Sequence, residues 1–217
     1  MKKIKIKNRE EVIIGKIVCV GRNYAAHASE LGNEVPEKPI LFLKPASAVI
    51  YSGDKIIHPE FSSDMHHEAE LVLLIGSDIR NASENDAEKA IAAYGVGLDM
   101  TLRDIQNELR KKGLPWTIAK CFDTSAVLSD FISVKDYKLT LNEEITLTVN
   151  NVVKQNEKLN LMIFPPVQLV EYISSVMKLE AGDLIYTGTP AGVGRVNRGD
   201  KIFASITEVG ALECSVE

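Results

Sequence analysis

The sequence predicts an α+β, β-rich protein in which short strands outnumber a few short helices. Two observations carry this. Apolar runs of four to seven residues, rich in Val and Ile and ended by Gly, Pro or a polar turn, recur along the 217 residues. Only four stretches have the length or spacing of a helix, and each is bracketed by strand-like runs. The apolar and charged fractions, 45% and 25%, are those of an ordinary globular domain. The net charge is −5, with no basic stripe and no basic–aromatic interleaving, so nucleic acid is not an expected partner. No run approaches the ~18 apolar residues of a membrane span, and no membrane partner is expected. Three cysteines, Cys19, Cys121 and Cys214, form no zinc or redox motif, and a reducing cytoplasm is the expected location.

Taken in order, residues 1–15 alternate Lys with Ile and read as one or two short strands of an N-terminal flap. Residues 16–217 show no linker or repeat and read as one domain. Lys16–Val20 is a buried strand. Tyr24–Leu31 is a short helix that Gly32 stops. It places His27 and Glu30 three residues apart, on one face of a turn. A carboxylate beside an imidazole fixes its tautomer and raises its basicity, as a general base requires; the alternative is a solvated surface pair. Ile40–Lys44 is a strand ended by Pro45, and the segments around Ser52-Gly53-Asp54 suggest a hairpin.

Next comes Met65-His66-His67-Glu68-Ala69-Glu70 and the buried strand Leu71–Ile75, closed by Gly76. On a strand Glu68 and Glu70 point to one face, about 7 Å apart. Two carboxylates beside a buried run repel each other and lose hydration, and a divalent cation removes both costs. Oxygen ligands favour Mg²⁺, Ca²⁺ or Mn²⁺. The alternative is a solvated strand end. His67 faces away from the glutamates, whereas His66 shares their face and stays open as a ligand.

Ser83–Tyr94 reads as a helix capped by Ser83 or Asn85, with Ala87, Ala90, Ile91 and Tyr94 on one face. The Gly-rich strand Tyr94–Leu98 then delivers Asp99. Thr101 and Asp104 resemble a capping box for the helix Leu102–Lys112, which leaves Asp99 available as a third carboxylate. Arg103 and Gln106 share a face of that helix, where Arg103 is either a fork for a substrate carboxylate or a solvated charge. Lys120 lies in a strand-like segment, Thr117–Asp123, as an edge charge or a site charge. Cys121 opposite it reads as a buried free thiol.

Ile145–Val149 turns at Asn150-Asn151 into a return limb from Val152. A helix opens at Phe164-Pro165-Pro166 and runs to about Met177, with Leu169, Tyr172, Ile173 and Val176 as its buried face. The strand Leu184–Thr187 meets Gly188-Thr189-Pro190-Ala191-Gly192-Val193-Gly194. That loop is not a P-loop; it is either a source of backbone N–H groups for an anion, aided by Thr189, or a plain loop. Strands Lys201–Ile206 and Ala211–Val216 close the chain.

Several of these stretches together resemble one family: Val20-Gly21-Arg22-Asn23-Tyr24 with His27, Leu41–Pro45, His67-Glu68-Ala69-Glu70-Leu71, Leu98-Asp99-Met100-Thr101 with Arg103-Asp104, Lys112–Thr117 with Ala119-Lys120, and Thr187-Gly188-Thr189-Pro190 with Gly192-Val193-Gly194. The sequence resembles the fumarylacetoacetate hydrolase family, and within it the small acylpyruvase and oxaloacetate decarboxylase/tautomerase subgroup. The resemblance implies a fold of rolled mixed β-sheets over 16–217, usually a homodimer. It implies a Mg²⁺ or Mn²⁺ site at Glu68, Glu70 and Asp99, with Ca²⁺ an alternative occupant. It implies a catalytic set of His27, Glu30 and Lys120, with the dyad on a lid, and a substrate pocket lined by Arg22, Arg103, Gln106 and Thr189. The substrate it implies is a small 2-oxo acid. The expected reaction is hydrolysis of an acylpyruvate C–C bond, releasing pyruvate, with oxaloacetate decarboxylation or tautomerisation alongside. The alternative is an isomerase or decarboxylase of 2-hydroxy-dienedioates, of the 2-hydroxyhepta-2,4-diene-1,7-dioate isomerase type. The chain departs from the family pattern at Asn150-Asn151-Val152 and Leu159-Asn160-Leu161, while Gln155 is kept.

Overall fold

A computed structural model describes residues 1–30, 32 and 34–217. In chain order the elements are β1 (Lys3–Ile4), β2 (Val12–Ile13), β3 (Ile17–Gly21), α1 (Ala25–Glu30), β4 (Ile40–Lys44), β5 (Val49–Tyr51), β6 (Lys55–Ile56), β7 (Met65–His67) and β8 (Ala69–Ile75). There follow α2 (Glu84–Ala90), β9 (Ile91–Asp99), β10 (Thr101–Leu102), α3 (Arg103–Lys111), α4 (Thr117–Lys120), β11 (Ala126–Leu128) and β12 (Ile132–Ser133). The chain ends with β13 (Glu144–Val149), β14 (Val152–Lys158), α5 (Pro166–Val176), β15 (Leu184–Tyr186), β16 (Gly194–Arg195), β17 (Lys201–Ile206) and β18 (Gly210–Val216). The end of the first expected helix, at Leu31, lies outside the described residues; Gly32, in the left-handed region at φ 63°, bonds back to Ser29 O.

The strands form a curled mixed sheet in the order β4-β3-β15-β8-β9-β11-β5, with β12 on β9. A second sheet runs β14-β13-β17-β18-β6, and a small one runs β10-β7-β16. β15 lies parallel to β3 and β11 parallel to β5, while β8 and β9 form the long antiparallel centre. Both faces of β8 are buried. Leu71, Leu73 and Ile75 join the main core, and Val72 and Leu74 join a second core with Tyr186 and Phe131. This double burial is why the run reads as continuously apolar rather than alternating. Ile4, Ile6 and Ile14 of the N-terminal segment are buried in that second core. Among the described residues no helix is long and apolar enough to cross a membrane.

The structure corrects several local expectations. The segments flanking Ser52-Gly53-Asp54 are not a hairpin. β5 pairs in parallel with β11, and β6 pairs in parallel with β18, so the turn passes the chain between two sheets. The helix expected over Ser83–Tyr94 ends at Ala90, because Ile91–Tyr94 are taken into β9 by pairing with β8 and β12; Ser83 is its cap, as read. On α5 the buried face is Leu169, Val170, Ile173 and Ser174, while Val176 is exposed and Tyr172 half-buried. The turn at Asn150 and Asn151 has φ 51° and 65°, the left-handed pair a type I′ turn requires.

Candidate active site

The centre of the site is set by strand register. Glu70 on β8 stands opposite Gly97 on β9, and Asp99 N–H donates to Glu68 O (2.9 Å) where the ladder leaves the sheet. Glu68, Glu70 and Asp99 therefore converge, and each offers a carboxylate oxygen within 4.8 Å of the others. They are not surface groups: Glu70 is 2% exposed and Asp99 1%. Gly97 is required beneath them, because a Cβ there would lie 2.6 Å from both Tyr186 and Val72.

Such a cluster must be compensated. Lys120 Nζ donates to Glu68 Oε2 (2.8 Å), Asp99 Oδ2 (2.6 Å) and Thr101 Oγ1 (2.5 Å), and Arg103 Nη2 donates to Glu68 Oε1. Burial alone raises a carboxyl, but Lys120 and Arg103 outweigh it at Glu68 and hold that group well below the usual range. Glu70 goes the other way. Burial, then Asp99 and Glu68, push its carboxyl up, against the charge of Lys120 and a backbone hydrogen bond from Gly188 N–H (2.6 Å). Burial also disfavours the charged Lys120, yet Asp99 and Glu68 keep it a cation, at about 12.

Lys44, fully buried, completes the cluster from below. It donates to the carbonyls of Met100 (3.2 Å), Ser125 (3.0 Å) and Lys120, which uses its three N–H groups. Its Nζ lies 2.9 Å from Asp99 Oδ1 as an ion pair only, so that buried oxygen accepts no hydrogen bond. An unfilled carboxylate oxygen beside a carboxyl that resists ionisation is the pattern a hard divalent cation relieves. The donor set, all oxygen, fits Mg²⁺, Mn²⁺ or Ca²⁺. His66, open as a ligand in the sequence, instead pairs with Asp64 (3.1 Å) and is not in the cluster. His67 holds Gln155 (3.2 Å) and is kept neutral by burial, at about 4.

Three expectations behind this geometry need correction. Lys120 is not on a strand: Thr117–Lys120 is a single helical turn, opened by Trp116 O accepting from Ala119 and Lys120 N–H. Four residues are too few for periodicity to separate the two forms. Cys121 is consequently half-exposed, its Sγ on Leu43 O, rather than fully buried. The capping box also does not form. Asp104 turns to Ser62 Oγ (2.7 Å) and Ser63 N–H (2.9 Å), and Thr101 donates to Asp99 O. Asp99 is free of capping because it ends β9, not because Thr101 replaces it.

The triad opens into a cavity of about 410 Å³. Every residue read as a site residue lines it: Arg22, His27, Glu30, Glu68, Glu70, Asp99, Arg103, Gln106, Lys120 and Thr189. Phe42, Trp116 and the outer face of α3 supply the rest of the wall. His27 Nδ1 lies 3.3 Å from Glu30 Oε2. Burial lowers the His27 pKa below its ordinary value, with Glu68 and Glu30 opposing, so the imidazole is neutral at neutral pH. Gly192 N–H donates to both Glu30 oxygens (3.1 Å each), tying α1 to the Gly-rich loop. The loop's N–H groups thus bind the chain's own carboxylates, Glu70 and Glu30.

The pocket residues are differently committed. Arg103 Nη1 donates to Gln106 Oε1 (2.6 Å) while Nη2 holds Glu68, so its fork is turned on the protein itself. Thr189 Oγ1 donates to Ala69 O (2.8 Å) and accepts from Gln155 Nε2 (2.8 Å). Sequence reasoning gave no role to Lys44 or Gln155. Lys44 had a signal in the sequence, a lysine closing the apolar run Ile40–Leu43, and Gln155 had one in being kept within the resembled pattern. That Gln155 is buried on the otherwise exposed or half-buried β14 is visible only in the structure.

Gly192 sits at φ 94°, and a Cβ there would fall 2.0 Å from Lys154 O. Gly192→Ala is expected to shift the loop, release Glu30 and lower kcat on the order of 10–100-fold, the penalty for a misplaced catalytic group. Steady-state kinetics alongside unchanged Mn²⁺ affinity is the check; an unaltered kcat removes the latch from the account.

A family model described as fumarylacetoacetate (FAA) hydrolase C-terminal matches residues 16–217. A mitochondrial oxaloacetate tautomerase of Arabidopsis thaliana is 46% identical over 202 residues, covering 93% of this chain and 91% of its own. An oxaloacetate tautomerase of Escherichia coli is 44% identical, with 87% of each chain covered. Among solved structures, fumarylpyruvate hydrolase from Pseudomonas aeruginosa, in complex with Mn²⁺ and pyruvate, superposes with a TM-score of 0.95 at 35% identity, covering 99% of this chain and 95% of that one.

Proposed function

The chain belongs to the fumarylacetoacetate hydrolase family, and on that premise we propose that it is a divalent-metal-dependent enzyme of 2-oxo acids that interconverts the keto and enol forms of oxaloacetate. The observation that carries the reading is the convergence on one cavity of a carboxylate triad, a neutral His–Glu dyad and a charged lysine. The tautomerase relatives, 44% and 46% identical over most of their length, favour oxaloacetate over an acylpyruvate.

Glu68, Glu70 and Asp99 would hold the cation. When bound, it supplies Lewis-acid polarisation of the 2-oxo group and charge for the adjacent carboxylate. His27 does the proton transfer. Glu30 accepts from Nδ1, which leaves Nε2 as the basic nitrogen, and burial keeps it unprotonated until it takes the proton from the substrate's C3. Protonation of the 2-oxo oxygen then gives the enol; in the reverse direction the enol O–H proton is lost and His27 Nε2 delivers its proton to C3. Lys120 cannot act as a base, because it stays charged. It faces the negative charge that develops on oxygen as the C3 proton leaves.

Hydrolysis of an acylpyruvate C–C bond is the second reading, supported by the resemblance in fold to the fumarylpyruvate hydrolase. Here His27 would deprotonate water instead of carbon. The test is a parallel assay with Mg²⁺ and with Mn²⁺: decay of the oxaloacetate enol absorbance, and pyruvate release from acylpyruvates. Metal-dependent tautomerisation abolished by a chelator is the expected result. A kcat/KM at least about tenfold higher on acylpyruvates transfers the assignment to the second reading, and inactivity on both refutes it.

A further inference from the structure

The outer half of the cavity is not explained by that chemistry. One face of α3 runs along its wall, with Arg103, Gln106, Asn107, Arg110 and Lys111 all contributing. The spacing i, i+3, i+4, i+7, i+8 is one helical stripe. Arg103 is anchored at the triad, and Arg110 stands two turns further out, about 10 Å along the axis, with its side chain inclined back toward the helix start. Arg22 reaches the same cavity from the end of β3. Its backbone is in the left-handed region at φ 60°, which non-glycine residues adopt only at a cost. Among the described residues the Arg22 side chain makes no hydrogen bond or ion pair. Burial and the charge of Arg110 both disfavour its protonated form, which places two guanidiniums within each other's field. The cavity's carboxylates are engaged elsewhere: Glu68 with Arg103 and Lys120, Asp99 with Lys44 and Lys120, Glu70 with Gly188 N–H, and Glu30 with His27 and Gly192 N–H. A half-buried arginine in a strained conformation, beside a second arginine and a lysine, is an arrangement that an anion stabilises.

We infer that Arg22 and Arg110 form a subsite for the distal carboxylate of the substrate, so that the enzyme selects 2-oxo diacids over 2-oxo monoacids. This rests on the proposed function, because the other end of the diacid is the 2-oxo carboxylate held at the triad. Arg22 and Arg110 are specificity residues in this role. They sit away from the reacting carbon and act on which substrate enters, and Lys111 adds to the field at the mouth.

The test uses binding rather than turnover. Trp116, the chain's one tryptophan, lines the cavity and packs edge-on against Phe42 at 5.8 Å, so its fluorescence reports occupancy. The Mg²⁺-loaded protein is titrated with 2-oxoglutarate and with 2-oxopentanoate, stable compounds of equal chain length that differ in the terminal carboxylate. One charge-assisted bidentate contact predicts that the diacid binds about 10–100-fold tighter. In Arg22→Gln/Arg110→Gln that ratio is expected to fall close to one. Lys112→Gln is the control. It removes a positive charge from the same helix, outside the cavity and paired with Glu108 (2.6 Å), and should leave the ratio intact. Equal affinities in the unaltered protein, a ratio that survives the double substitution, or an equal collapse in Lys112→Gln each overturn the subsite and leave the proposed function standing. If neither compound binds, the subsite falls, and the proposed function is judged separately by the oxaloacetate assay.

Discussion

Asp99→Asn is expected to abolish metal-dependent turnover and to weaken Mn²⁺ binding by at least about 100-fold, the upper range for losing a mere outer-shell partner of a metal ligand. The substitution keeps the shape of the side chain but removes the charge that both Lys44 and Lys120 face. Leaving buried ammonium groups with less compensation costs about 3 kcal/mol or more, which in a chain of this size lowers Tm by on the order of 6–12 °C. Glu70→Gln provides the contrast. Glu70 is the triad member whose charged form burial and its two carboxylate neighbours disfavour, so a neutral amide there should impair Mn²⁺ binding while leaving the metal-free melting temperature unchanged or raised. Calorimetric Mn²⁺ titration and thermal melting of both variants separate the two effects. Wild-type Mn²⁺ affinity in Asp99→Asn would show that the cation is held elsewhere.

The second large effect is at His27. His27→Ala is expected to lower kcat by about 10²–10⁴-fold, the usual contribution of a positioned general base. Its pH dependence has a defined sign. Burial lowers the His27 pKa below its ordinary 6.5, so kcat in the unaltered protein should be flat at neutral pH and fall only as pH drops through that lowered value. Glu30 favours the protonated imidazole. Glu30→Gln should therefore move the acid limb to still lower pH while reducing kcat through loss of tautomer control. A pH profile of kcat for the three proteins is the measurement. An acid limb that persists unchanged in His27→Ala would assign it to another group.

The sequence by itself determined the strand-rich class and the direction of its main elements. Short apolar runs with Gly or Pro stops are a local signal, and β8, β13, β17 and the type I′ turn at Asn150-Asn151 all follow from it. Spacing of two along an extended run was enough to put Glu68 and Glu70 on one side, although Glu68 itself falls in the break between β7 and β8, where the chain passes from one sheet to another. Spacing of three on a helix was enough to pair His27 with Glu30. The motifs shared with the family joined Asp99 and Lys120 to them.

What only the tertiary structure decided is everything that depends on which elements lie against one another. Register between β8 and β9 brings Asp99 to the glutamates, and no local pattern encodes that pairing. Tertiary pairing also drew Ile91–Tyr94 out of a helix and separated β5 from β6, where local propensity pointed the other way. The same cause hid Lys44 and Gln155. Each is a polar residue on an otherwise ordinary strand, and its purpose appears only when the carbonyls and carboxylates it bonds arrive from distant parts of the chain. In the same way local spacing made Glu68 and Glu70 a pair, but the fold buried them, surrounded them with Lys120, Arg103 and Lys44, and gave the two carboxyls opposite proton affinities. Burial and charge compensation are properties of the assembled neighbourhood, which is why spacing alone did not separate a metal site from a solvated strand end.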